Sequence, residues 1–128
     1  MRDELVGVWL NESEIHGMRS ETRISIGTDG SFVTRMRYQM PDGCQTIEHR
    51  GRILASETDM DITLDAGFTQ DEAAEKEGLP MKPFTNEEFQ ETKHLLANSI
   101  PYRFTDRGEL ATEPQGPDGK MQIVYRKL

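Results

Sequence analysis

The chain has one cysteine, Cys44, so it can form no disulfide within itself and no thiolate metal cluster. Positive charge is also scarce, with 15 Lys and Arg against 23 Asp and Glu and a net charge of −8. Phosphate contact needs a clustered basic face, so no nucleic acid is expected as a partner and an anionic membrane surface is disfavoured. The acidity is instead what a solvated, self-repelling exterior requires. No apolar run approaches the roughly 18 residues of a membrane span. Met1-Arg2-Asp3-Glu4 leads into the first strand without an apolar leader. The expectation is a cytoplasmic protein that crosses no membrane.

The motifs of common chemistries are missing as well. There is no Gly-rich phosphate loop, no serine nucleophile elbow and no pair of catalytic carboxylates. His16, His49 and His94 share no spacing that would place two ligands on one face. Asp59, Asp61 and Asp65 lack the glycine and terminal glutamate of a calcium loop. Cys44 follows a Pro-Asp-Gly turn without a histidine in any nucleophile motif, and reads as an inert thiol. No metal and no cofactor are therefore expected.

What the sequence does contain is alternation. At 128 residues, one domain over 1–128 is long enough to bury about two-thirds of its unfolded surface. A first strand runs from about Leu5 to Asn11, followed by a polar loop from Glu12 to Ser20. Ile24 and Ile26, then Asp29-Gly30, then Phe32, Thr34, Met36, Tyr38 and Met40 in alternation, form the clearest hairpin. The strand from Cys44 to Leu54 sets Ile47, His49, Gly51 and Ile53 inward, with Glu48, Arg50 and Arg52 toward water. Met60, Ile62 and Leu64 repeat the inward pattern opposite Asp59, Asp61 and Asp65.

Residues 66–99 break that rhythm. Thr69 with Glu72, and Thr85 with Glu88, have the spacing of capping boxes, and Gly78 is a natural helix terminator. Two helices within Thr69–Ala97 are expected, separated by Pro80 and Pro83. Strands resume at Ile100, Tyr102 and Phe104, continue through Leu110, turn over Pro114–Gly119, and end with Met121, Ile123 and Tyr125 on one face. The predicted fold is mainly β: an antiparallel up-and-down barrel of seven or eight strands, with a two-helix insertion between the middle strands and the last three.

Gly7-Val8-Trp9 on the first strand, the Asp29-Gly30 hairpin and the terminal Tyr125-Arg126 resemble the lipocalin-like small β-barrels of the calycin superfamily. The resemblance covers most of the chain except the insertion, whose position differs from the helices of lipocalins and fatty-acid-binding proteins. It implies that Trp9 plugs the closed end of the barrel and that Arg126 lies across its ring, both as structural residues.

Inside such a barrel the candidate ligand-binding residues are Tyr38, His49, Tyr102 and Tyr125. Three phenols and an imidazole could fix a carboxylate or carbonyl, whereas rim phenols bonded to water and a core imidazole bonded to a tyrosine would do nothing of the kind. Met36, Met60 and Met121 would line an apolar cavity, or simply fill an irregular core. The expected function is reversible binding of a small, largely apolar molecule in the barrel interior. Two alternatives stand beside it: an isomerase or dehydratase-like enzyme using His49 as acid and base, and a protein-interaction module or homodimer docking through Met81, Phe84, Phe89 and Leu96 of the insertion.

Overall fold

A computed structural model describes residues 2–116 and 119–128. Its first five strands are β1 (Gly7–Ile15), β2 (Met18–Ile26), β3 (Ser31–Met40), β4 (Gly43–Ala55) and β5 (Asp59–Asp71). The insertion follows as α1 (Glu72–Lys76), β6 (Lys82–Pro83) and α2 (Asn86–Leu95). The chain finishes with β7 (Ile100–Phe104), β8 (Leu110–Thr112), β9 (Gln115–Gly116), β10 (Gly119–Lys120) and β11 (Ile123–Lys127). Among the described residues β9 and β10 pair only with each other. The turn expected over Pro114–Gly119 includes Pro117 and Asp118, which lie outside the described residues.

Eight strands close a ring in the order β1, β2, β3, β4, β5, β7, β8, β11, every pair antiparallel. The ring is uneven in height. β1 to β5 run 9 to 13 residues, while β7, β8 and β11 run 3 to 5. All eight meet at the end that holds Trp9, and the long strands project beyond the short ones at the other. One end is therefore closed and the other open.

The closed end holds the core. Leu5, Trp9 and Leu110 are essentially inaccessible, and Ile26, Phe32, Ile53, Met60, Tyr102 and Tyr125 pack with them. Trp9 donates its indole N–H to the Leu5 carbonyl at 2.9 Å, and its ring lies 6.1 Å from that of Phe104. Trp9 is thus the plug that the Gly-x-Trp pattern implies.

The cation over that ring is Lys127, not Arg126. Lys127 is the register partner of Trp9, and its Nζ sits 5.5 Å from the ring centroid. Arg126 points outward and meets Glu12 at 3.1 Å. Strand parity explains the correction: Tyr125 and Lys127 share the inner face, so the residue between them cannot. The glycine of the motif now has a reason. A Cβ on Gly7 would collide with Cε of Lys127, so the missing side chain gives the lysine stem its path.

The polar stretch Glu12–Ser20 is not a loop. β1 and β2 form a continuous hairpin through Ile15 and Met18, turning at His16-Gly17, both with positive φ (52° and 79°). Two successive left-handed residues give the two-residue turn that suits the twist of antiparallel strands. At Asp29-Gly30 the expected hairpin is present: Gly30 has φ 86°, and the Asp29 carboxylate accepts from the Ser31 amide and hydroxyl.

β5 continues through Thr69 to Asp71, so the insertion starts later than 66. Asp71 rather than Thr69 caps α1, accepting from the Ala74 amide at 2.7 Å. The second capping box is as expected, with Thr85 and Glu88 reciprocally bonded at the start of α2. Partway along β4 and β5 the register shifts between Arg50 and Gly51, whose partners are Ala66 and Leu64. Asp65 is the extra residue of this bulge, which lets both Leu64 and Gly67 face inward.

Candidate functional site

Beyond the plug, the inner faces of the long strands carry the polar side chains. Thr34, Met36 and Tyr38 come from β3, and Ile47 and His49 from β4. Tyr125 on β11 belongs to the core of the closed end and extends its phenol toward Tyr38; burial and then the proximity of Tyr38 push that phenol up to about 12. Burial alone raises the Tyr38 phenol and lowers the His49 imidazole. Tyr38 and Tyr125 are therefore near each other, His49 shares the inner face with Tyr38 further along the barrel wall, and all three are partly withdrawn from water.

Their hydrogen bonding is sparse. Tyr38 donates only to the Met36 thioether, at 3.6 Å. Among the described residues, His49 and Tyr125 have no side-chain hydrogen-bond partner. No fully shielded side-chain nitrogen or oxygen there lacks a partner either. The unpaired imidazole and phenol atoms therefore reach accessible space, where a ligand or water can meet them.

Phe84 from the insertion stands edge-on to His49, ring centroids 5.9 Å apart at 76°. Two features hold it there. β6 pairs Lys82 and Pro83 with Thr69 and Phe68, and the Phe84 amide donates to the Gly67 carbonyl at 2.9 Å. Gly67, the register partner of His49, leaves the space, because a Cβ there would collide with two carbons of the Phe84 ring. A cleft of about 270 Å³ lies beside Phe84, between β5 and Phe89 of α2.

A larger cleft, about 500 Å³, opens at the mouth between the ends of β4 and β5 and the segment α1 to β6. Gln45, Thr69, Ala74, Leu79 and Lys82 line it. Gln45 is the register partner of Tyr38. Neither cleft is lined by Tyr38, His49 or Tyr125, but each is one register partner away.

The other expected ligand residues lie elsewhere. Tyr102 belongs to the closed end, where its hydroxyl donates to the Ser56 carbonyl and accepts from Arg2 at 2.8 Å. Met60 is a buried core residue beside it, while Met36 stays on the inner face with Tyr38. Met121 is corrected outright: it precedes β11, outside any strand, and is 48% exposed. The alternation that aligned it with Ile123 does not apply where no strand is formed.

One group was missed. Glu48, expected in water on the outer face, is buried there with its side chain only 4% exposed. Arg35 Nη2 meets Oε1 at 2.9 Å and Arg50 Nε meets Oε2 at 2.7 Å, while the Arg50 guanidinium also lies 4.9 Å from the Phe68 ring centroid. The insertion covers this wall: Glu75 of α1 binds Arg37, and Met81 reaches Arg35. The sequence signal was the like-facing run of Glu48, Arg50 and Arg52, too charged to be read as covered.

His49 makes the site sensitive to pH. Its folded value lies below the ordinary 6.5, so between the two the unfolded chain binds more protons than the folded one. The contribution of neutral His49 is complete above 6.5 and falls as pH drops below it, by at most about 1.4 kcal/mol per pH unit. Urea titrations between about pH 7 and 5 should show that loss in the wild type. The slope should flatten in His49→Gln, and an equal slope in both would place the effect elsewhere.

No protein-family model matches the chain, and a search of curated proteins finds no relative. The class defined by the structure is a closed antiparallel eight-stranded β-barrel, an architecture compatible with the calycin-like fold. Among the described residues no helix is long and apolar enough to cross a membrane.

Proposed function

We propose that the protein reversibly binds a small, largely apolar molecule at the open end of the barrel. The polar end of the ligand meets Tyr38, His49 and Tyr125, and its apolar part lies along Met36 and Phe84. This reading belongs with the lipocalin-like barrels that the Gly7-x-Trp9 pattern resembles, and supposes a cytoplasmic, single-domain protein. Its main support is the set of polar side chains on the inner face. Tyr38, His49 and Tyr125 are each partly or largely withdrawn from water with almost no protein hydrogen bonds, and Gln45, the register partner of Tyr38, lines a cleft of about 500 Å³. That volume is in the range of small-molecule sites, about 300–1,000 Å³. Unmet hydrogen-bonding capacity in such a place costs stability unless a ligand or water satisfies it.

Two measurements test the proposal. Native mass spectrometry should find a small molecule on the gently purified protein. Titration with a fluorescent anilinonaphthalene probe should saturate, and His49→Ala or Tyr38→Phe should weaken it about tenfold, as for one lost hydrogen bond. An empty protein that binds the probe equally well without His49 and Tyr38 would rule the site out.

A further inference from the structure

The outer wall of the barrel carries a third cleft, about 430 Å³, between β2, β3 and β4 and the insertion. The sheet itself separates it from the inner face. Arg23, Arg35, Arg37, Thr46, Glu48 and Glu75 are among its lining residues.

Its charges are arranged in an unusual way. Arg23 and Arg35 are direct register partners across β2 and β3, and like charges placed opposite each other on a sheet are destabilising. Arg35 is held in place by the buried Glu48, which takes Nε and Nη2 and leaves Nη1 uncommitted. Glu48 has no capacity left, since Arg50 takes its other oxygen. Arg37 is anchored by both oxygens of Glu75. Arg23 has only a loose contact of 3.6 Å with Glu21, both side chains being about half exposed.

The lining of the cleft sets three arginines, Arg23, Arg35 and Arg37, against three glutamates, Glu21, Glu48 and Glu75, so it is neutral on a chain whose total is −8. A fixed guanidinium and a loosely held one thus stand side by side on a cleft of ligand size whose lining is neutral, not acidic like the chain as a whole. We propose that this cleft binds a small organic oxyanion, a carboxylate or a phosphate monoester, between Arg23 and Arg35. Planar guanidinium forks match both oxyanions, and a bound anion turns the repulsion between the two arginines into attraction.

Arg23→Gln is the test, because it leaves the Glu48 cluster untouched. Thermal unfolding would be followed with phenyl phosphate, inorganic phosphate or benzoate, against chloride at matched ionic strength. Without added anion the variant should unfold at the same temperature as wild type or higher, since a like-charge pair is gone. At least one anion should raise the wild-type midpoint in a saturable way through linkage, and Arg23→Gln should weaken that effect at least about tenfold. The response to the phosphates against benzoate tells which oxyanion the cleft prefers. Binding of the anilinonaphthalene probe at the open end should be the same in both proteins. The proposal fails if none of the three anions exceeds chloride, or if the variant responds as the wild type does.

Discussion

Trp9→Ala should cost about 3–5 kcal/mol, the usual range for removing a large aromatic from a packed core. Trp9 is 1% exposed, its indole N–H is committed to the Leu5 carbonyl, and Phe104 and Lys127 both rest on its ring. The alanine variant loses all of these and leaves a void at the point where the eight strands converge. For a chain of this size the midpoint of thermal unfolding should fall by roughly 10–20 °C. Trp9→Phe, which keeps most of the apolar area, should lose considerably less. At temperatures where the alanine variant remains folded, probe binding at the open end should be close to wild type. A midpoint within about 3 °C of wild type would mean that the plug does not hold the ring closed.

Gly51→Ala should be nearly as damaging, for the opposite reason. Gly51 is buried beside the bulge, where β4 and β5 approach closely. A Cβ there would overlap the Thr63 carbonyl oxygen and press on the Phe32 ring. The first of these is backbone, so one strand must move and the ladder on both sides moves with it. A loss of about 3 kcal/mol or more is expected, at or above the upper end of the range for overpacked cores. Gly108→Ala is the control: its φ of 75° is strained for alanine, but nothing lies within 4 Å of the added atom. That change should cost only about 1 kcal/mol. Chemical denaturation of the two variants side by side decides the matter, and equal losses would show that close approach is not what selects glycine at position 51.

Much of the fold could be read from the sequence because most strands bury one face and wet the other. Phe32 to Met40 and Ile47 to Ile53 carry that alternation strongly, and Asp29-Gly30 marks the turn between strands in chemistry that few other structures use. The β1–β2 hairpin escaped notice because its outer half, Glu12 to Arg19, is polar apart from Ile15 and Met18 and carries no alternation. His16-Gly17 was the only local sign, and histidine is a less familiar residue for a left-handed turn than asparagine.

The inner-face residues were legible in part for the same physical reason. Tyr38, His49 and Tyr125 followed from parity, which places a side chain on a face but does not say how far along the barrel it lies. Tyr102 has the right face and the wrong end. Arg126 failed by one residue, which on a strand is the whole difference between inside and outside. Burial of Glu48 depends on the insertion folding back over the outer wall, a long-range event that local patterning does not carry.

Pairing of Trp9 with Lys127 joins points more than a hundred residues apart along the chain. The other ring contacts, from β1 through β5 and from β7 through β11, are mostly hairpins between neighbours. Loop-closure entropy makes such distant contacts slow to form. Refolding should therefore proceed by early zipping of the five-strand meander, with the seam between β1 and β11 sealed last. Until then the indole lacks its lysine cover and the first strand keeps a bare edge, so the interval before sealing is when this chain is most exposed to aggregation.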